Sequence, residues 1–78
     1  MVKVMIVDDE RNIREGILQL IDWHKLGCEV VIDCGDGEAA LEYMQDHPID
    51  IVVTDIKMPL IDGIELSKRI TEEYINTK

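Results

Sequence analysis

Val2-Lys3-Val4-Met5-Ile6-Val7-Asp8-Asp9-Glu10 and, further along, Ile49-Asp50-Ile51-Val52-Val53-Thr54-Asp55 share one pattern: a short, β-branched apolar run stopped abruptly by carboxylates. Such runs read as buried strands. Between them, Arg11 to about His24 places Ile13, Ile17, Leu20 and Ile21 at helical spacing, so one apolar stripe is expected to face a core. Gly27 is a plausible stop just past that helix. Glu29–Asp33 reads as a second strand, and Gly35-Asp36-Gly37 as a turn whose Asp36 can cap the next helix. That helix carries Ala40, Leu41 and Met44, with Pro48 beyond its end. After the third strand, Ile49–Thr54, comes a loop, Met58 to Gly63. Asp62 with Glu65 three residues on makes a capping-box-like start to a third helix, with Ile64, Leu66, Ile70 and Tyr74 as its expected buried positions.

The order is therefore βαβαβα with short loops, which argues for an α/β fold with a parallel sheet covered by helices on both faces. With right-handed crossovers, a flavodoxin-like three-layer α/β/α arrangement puts strand 1 between strands 2 and 3, in the order 2-1-3. The crevice between strands 1 and 3 is then the topological switch point, where ligands bind at the carboxyl ends of strands. Strand 1 ends in Asp8-Asp9 and strand 3 in Asp55, so three carboxylates distant in sequence are delivered to one place.

Size and composition set the bounds. The 78 residues allow one small domain over 1–78, and a chain this short buries a modest share of its surface. Aromatics are limited to Trp23, Tyr43 and Tyr74, so the core must be aliphatic. A net charge of −9 repels nucleic-acid backbones and anionic membranes, which argues against DNA binding by this chain. No apolar run is long enough to span a bilayer, and the start shows no signal-peptide pattern. Cys28 and Cys34 bracket the second strand. Six extended residues span roughly 20 Å, whereas a disulfide needs Cα atoms within about 7 Å. Two reduced thiols fit a cytoplasmic protein.

Three close carboxylates repel one another, and a hard divalent cation relieves the cost. Mg²⁺ prefers oxygen ligands, takes one or two carboxylates and keeps waters or phosphate oxygens in its other positions. An ion here would draw in a phosphoryl group and neutralise charge during transfer, and one carboxylate could act as the nucleophile. The competing explanation for Asp8 and Asp9 is helix capping, since carboxylates favour a helix N-terminus.

Val-Asp-Asp-Glu after strand 1, Thr54-Asp55-Ile56-Lys57-Met58-Pro59 after strand 3, and then Asp62-Gly63 together resemble the receiver (CheY-like) domain of two-component response regulators. Ile21-Asp22-Trp23-His24-Lys25-Leu26-Gly27 and the form Asp-Ile-Lys-Met-Pro are similar, more narrowly, to receivers of AraC-type transcriptional regulators. The resemblance implies that Asp55 is the phosphoacceptor, charged by a sensor histidine kinase. It implies that Asp9 and Asp55 ligate Mg²⁺ directly, Asp8 mainly through water, and Lys57 through its backbone carbonyl. Met58-Pro59 would shape the loop over the site, and Gly63 would allow a tight approach to the third helix or a left-handed conformation.

The resemblance also implies five strands, of which three are legible. A Ser or Thr after strand 4 and a Lys after strand 5, which read out the phosphoryl group, would belong beyond Lys78, as would the last helices and a DNA-binding domain. The expectation is an incomplete receiver that cannot complete its own switch. Its third strand would offer an apolar edge, Ile51, Val52 and Val53, inviting self-association or element exchange. Two alternatives stand beside the phosphoacceptor, which is not a turnover enzyme. One is a Mg²⁺-dependent phosphatase with an Asp nucleophile, against which Lys57 stands where such enzymes carry a further acid. The other is an inert interaction fragment.

The remaining residues have plainer explanations. His24 and His47 suit helix C-termini. Trp23 is expected to pack against the end of helix 1, and the cysteines to fill partly buried positions. Lys68 and Arg69 with Glu72 and Glu73 read as i,i+4 pairs on a solvated face.

Overall fold

The computed structural model describes residues 1–55 and 63–73. Three strands, β1 (Val2–Val7), β2 (Cys28–Cys34) and β3 (Ile51–Thr54), alternate with α1 (Arg11–Leu20), α2 (Gly37–Asp46) and α3 (Gly63–Glu73). Both strand pairings are parallel and the order is β2-β1-β3. The expected βαβαβα order and 2-1-3 sheet are what the chain adopts.

β1 is central, and Val4, Met5, Ile6 and Val7 are all buried. A strand covered on both faces needs apolar residues in succession, which is why this stretch does not alternate with polar ones. Met5 and Val7 join Ala40, Met44, Leu66 and Ile70 in the main core, under α2 and α3. By the two-residue alternation of a strand, Val4 and Ile6 face the opposite side, where a right-handed crossover puts α1. Asp36 caps α2, its Oδ1 accepting from the Ala39 N–H at 2.7 Å.

Register decides what the strands deliver. Val7 stands opposite Cys34 on one side and Thr54 on the other. The β1–β2 ladder skips Val31 after Val4, a bulge that brings the two strands to a common end. Asp8 N–H then donates to the Cys34 carbonyl at 3.0 Å, and Asp55 N–H to the Val7 carbonyl at 3.1 Å. The residues after β1 and β3 are thus fixed side by side by the ladder itself.

Several expectations are corrected. The first helix ends at Leu20 rather than near His24, and none of its residues is fully buried. Ile17 and Leu18 are half-buried, but Ile13 is 43% and Leu20 87% exposed, and Ile21 lies outside the helix. The stripe is correctly spaced, but α1 is short and covers little of the sheet with it. Gly27 closes a turn, with a φ of 76°, and does not cap the helix. Its N–H donates to the His24 carbonyl, and its own carbonyl accepts from Val2 N–H, leading the chain into β2 beside β1. The second strand runs one residue further at each end than expected, and the third begins at Ile51, although Ile49 is buried before it. Ile64 is 59% exposed, whereas Leu66 and Ile70 are buried as expected. Tyr74 lies outside the described residues. Arg69 pairs with Glu65, at 3.3 Å, one turn before it, while the side chain of Glu73 lies outside the described residues. That order, acid nearer the N-terminus, is the favourable one.

Trp23 does pack back on α1, its Nε1 donating to the Ile17 carbonyl at 3.3 Å. His47 sits at the C-terminus of α2, stacked on Tyr43. Both cysteines are free thiols. No helix among the described residues is long and apolar enough to cross a membrane.

Candidate metal centre

Asp8, Asp9 and Asp55 converge. One carboxylate oxygen from each lies within 4.8 Å of the others. Asp8 is buried, 6% exposed, while Asp9 and Asp55 open to solvent. An octahedral Mg²⁺ with oxygens at about 2.1 Å separates neighbouring ligands by roughly 3 Å and opposed ones by roughly 4 Å. The donor set is all oxygen, and its span needs only a small contraction to meet those distances. The cluster can therefore hold a hard divalent cation.

Capping does not explain these acids. The residue at the α1 N-cap is Glu10, which makes no side-chain capping bond. Asp8 Oδ1 accepts from Glu10 N–H at 2.9 Å, two residues on, which bends the chain away from the strand before the helix begins. The Glu10 carbonyl accepts from Ile13 and Arg14 N–H. This turn lifts Asp9 to the rim while Asp8 stays beneath it.

One participant was not singled out in the sequence. Arg14, one turn into α1, has a side chain only 15% exposed. Its Nη1 donates to the Asp8 carbonyl at 2.6 Å and its Nε to Asp33 Oδ2 at 2.8 Å. A cation a turn into a helix that follows an acidic pair is the signal that could have found it. Nearby, burial pushes the Cys34 thiol above its ordinary range, the charges of Asp33 and Asp36 raise it further, and Arg14 opposes them. Lys57, Met58, Pro59 and Asp62 lie outside the described residues. Gly63 is buried as the first residue of α3, its carbonyl accepting from Ser67 Oγ at 2.7 Å.

The family model for the response regulator receiver domain matches residues 4–78. This chain belongs to the response regulator receiver family. Among receivers of known structure, the receiver domain of AraT, a response regulator from Geobacillus stearothermophilus, superposes with a TM-score of 0.88 at 47% identity. That match covers 97% of this chain and 60% of the AraT chain. A two-component transcriptional regulator AraC from Clostridium phytofermentans superposes at 0.89 with 35% identity, over all of this chain and 63% of the other. In sequence, the transcriptional regulatory protein HptR of Staphylococcus aureus is 44% identical over 66 residues, 85% of this chain. The receiver chain spans about a quarter of that relative's length, 26%. YesN of Bacillus subtilis, an uncharacterised transcriptional regulatory protein, is 38% identical over 71 residues, 91% of this chain and 19% of its own. This receiver is thus of the kind found in two-component transcriptional regulators, as the loop from Ile21 to Gly27 suggested.

Proposed function

We propose that this receiver is a phosphoacceptor and that Asp55 takes a phosphoryl group from the phosphohistidine of a sensor histidine kinase. The observation that carries this is the convergence of Asp55 with Asp8 and Asp9 at the end of two neighbouring strands. An Asp55 carboxylate oxygen forms the new bond to phosphorus as the P–N bond of the phosphohistidine breaks, its electron pair returning to the imidazole. Asp8, Asp9 and Asp55, with the Lys57 backbone carbonyl, would hold Mg²⁺. The ion supplies charge neutralisation for the incoming phosphoryl group. Asp8, anchored beneath the others, keeps the acidic pair in place, and the solvent-facing Asp55 leaves its nucleophile accessible. The product is the modified protein itself, so the chain is not a turnover enzyme. It acts in the cytoplasm and, in a longer parent, serves to control transcription. With a net charge of −9, DNA contact falls to another domain.

A small-molecule phosphodonor with Mg²⁺, followed by intact-mass spectrometry, tests the reading. Expected is one phosphoryl group per chain, lost in Asp55→Asn and in chelator. Continuous phosphate release without modified protein would favour a phosphatase, and no modification at all would favour an interaction fragment.

We further propose that this chain self-associates along β3. Among the described strands β3 pairs only with β1, and its Ile51, Val52 and Val53 are half-buried. A groove of about 500 Å³ runs between Thr54 and the Ile64, Ser67 and Thr71 side of α3. A strand edge left unpaired by the described strands, beside such a groove, invites pairing with a second chain or exchange of elements. Light scattering across a concentration series should reveal dimers or larger species, and a monomer throughout would refute this.

A further inference from the structure

We infer that Arg14 is a positioning residue for the cation site, an inference that rests on the reading of Asp8, Asp9 and Asp55 as Mg²⁺ ligands. The carbonyl that Arg14 Nη1 holds, at 2.6 Å, belongs to the peptide plane joining Asp8 to Asp9. With the N–H side of Asp8 held, the direction of that carbonyl sets ψ of Asp8, and ψ of Asp8 sets where Asp9 stands relative to the Asp8 carboxylate. The rest of Asp8 is already fixed, its N–H by the Cys34 carbonyl and its Oδ1 by Glu10 N–H. Arg14 holds the remaining hinge, the one that Asp9 shares.

The guanidinium is itself immobilised. Asp33 Oδ2 accepts from Nε at 2.8 Å, and a planar fork gripped at two points has little freedom left. Gly35 lies against it as well, since a Cβ there would touch Nη1 at 3.4 Å. The end of β2 thereby reaches the acidic pair twice, through the backbone at Cys34 and through the side chains of Asp33 and Arg14. A groove elsewhere, or the exposed face of α1, offers no comparable link to chemistry. Groups that orient metal ligands without touching the ion are worth about 10- to 100-fold in metal affinity.

The plain alternative is a staple that fastens α1 to β2 and affects only stability. Mg²⁺ affinity of the folded protein separates the two. Calorimetric Mg²⁺ titrations would be run on the whole chain at a temperature where far-UV circular dichroism shows each variant folded. Arg14→Met should weaken binding about 10-fold or more. Arg14→Lys, which keeps the charge but reaches one acceptor, should restore part of it. Asp33→Asn should weaken binding less than Arg14→Met, and should add nothing when combined with it. Should Arg14→Met fail to fold, the Arg14→Lys and Asp33→Asn titrations decide alone, and affinities within twofold of the parent chain for both overturn the inference. Parent binding with an unchanged Arg14→Met affinity removes Arg14 from the site but leaves the ligands standing. A parent chain that binds no Mg²⁺ removes the ligand reading and the inference with it.

Discussion

Replacing Asp55 by Asn should stabilise the metal-free protein and abolish the stabilisation that Mg²⁺ gives. Three carboxylate oxygens lie within 4.8 Å of one another. At that separation two unit charges repel by about 0.9 kcal/mol in a water-like dielectric, and screening at 0.1 M salt reduces this to about 0.5 kcal/mol. Asp55 faces two such partners, so its neutralisation should be worth about 1 kcal/mol. For a domain of this size that is about 4–8 °C in Tm. In Mg²⁺ the sign reverses. The native protein gains about 1.4 kcal/mol at a concentration ten times Kd, whereas the variant has lost a ligand. Thermal melts followed by circular dichroism, in chelator and across a Mg²⁺ series, measure both effects. Glu42→Gln, an exposed acid on α2, controls for net charge. The advantage in chelator should shrink as KCl rises. An Asp55→Asn protein that melts below the parent in chelator, or that still gains from Mg²⁺ as the parent does, would refute the proposal that these mutually repelling acids form a cation pocket.

Other expectations follow from the packing. Asp36→Ala removes the α2 cap and should cost about 0.5–2 kcal/mol in urea unfolding, with Asp36→Asn close to neutral. Leu66→Ala empties a fully buried position joining α3 to the sheet and should cost about 2–5 kcal/mol, enough to unfold much of so small a domain. Leu20→Ala, at an exposed position, should stay within about 0.5 kcal/mol of the parent. Cys34 should react with a disulfide reagent more slowly than Cys28 in the native protein and equally in urea, since it is buried and its thiol is held above the ordinary range. The sign for stability follows. The fold favours the neutral thiol, so its contribution is complete below the unfolded thiol's pKa and is lost as pH rises through the folded value. The stability gap between the parent and Cys34→Ala should narrow over that alkaline window.

The thinness of the α1 layer bears on how such a chain behaves. Val4 and Ile6 are fully buried on the α1 side, yet Ile13 and Leu20 remain in water. A ten-residue helix lying over the sheet covers the strand beneath its centre but not the surface at its ends. Those ends are surface that another element or another molecule would cover at a gain in apolar burial.

What the sequence by itself determined is the part governed by local rules. Strand period, turn residues and caps depend on neighbours a few positions away. Val2–Val7, the Asp36 cap and the βαβαβα order were accordingly legible, and handedness then left one sheet order for the acids to converge in. What lay beyond reach depends on contacts between distant segments. Which helical positions are covered is decided by where a helix lands, so Ile13 and Ile64 are exposed despite correct spacing. Arg14 could be assigned to a helix, but not to the Asp8 carbonyl and Asp33, because that bond requires the β2 bulge at Val31 to bring Cys34 level with Val7. Only the tertiary structure sets that register, since strand pairing is a long-range contact and a one-residue slip of β2 against β1 would carry Asp33 away from Arg14.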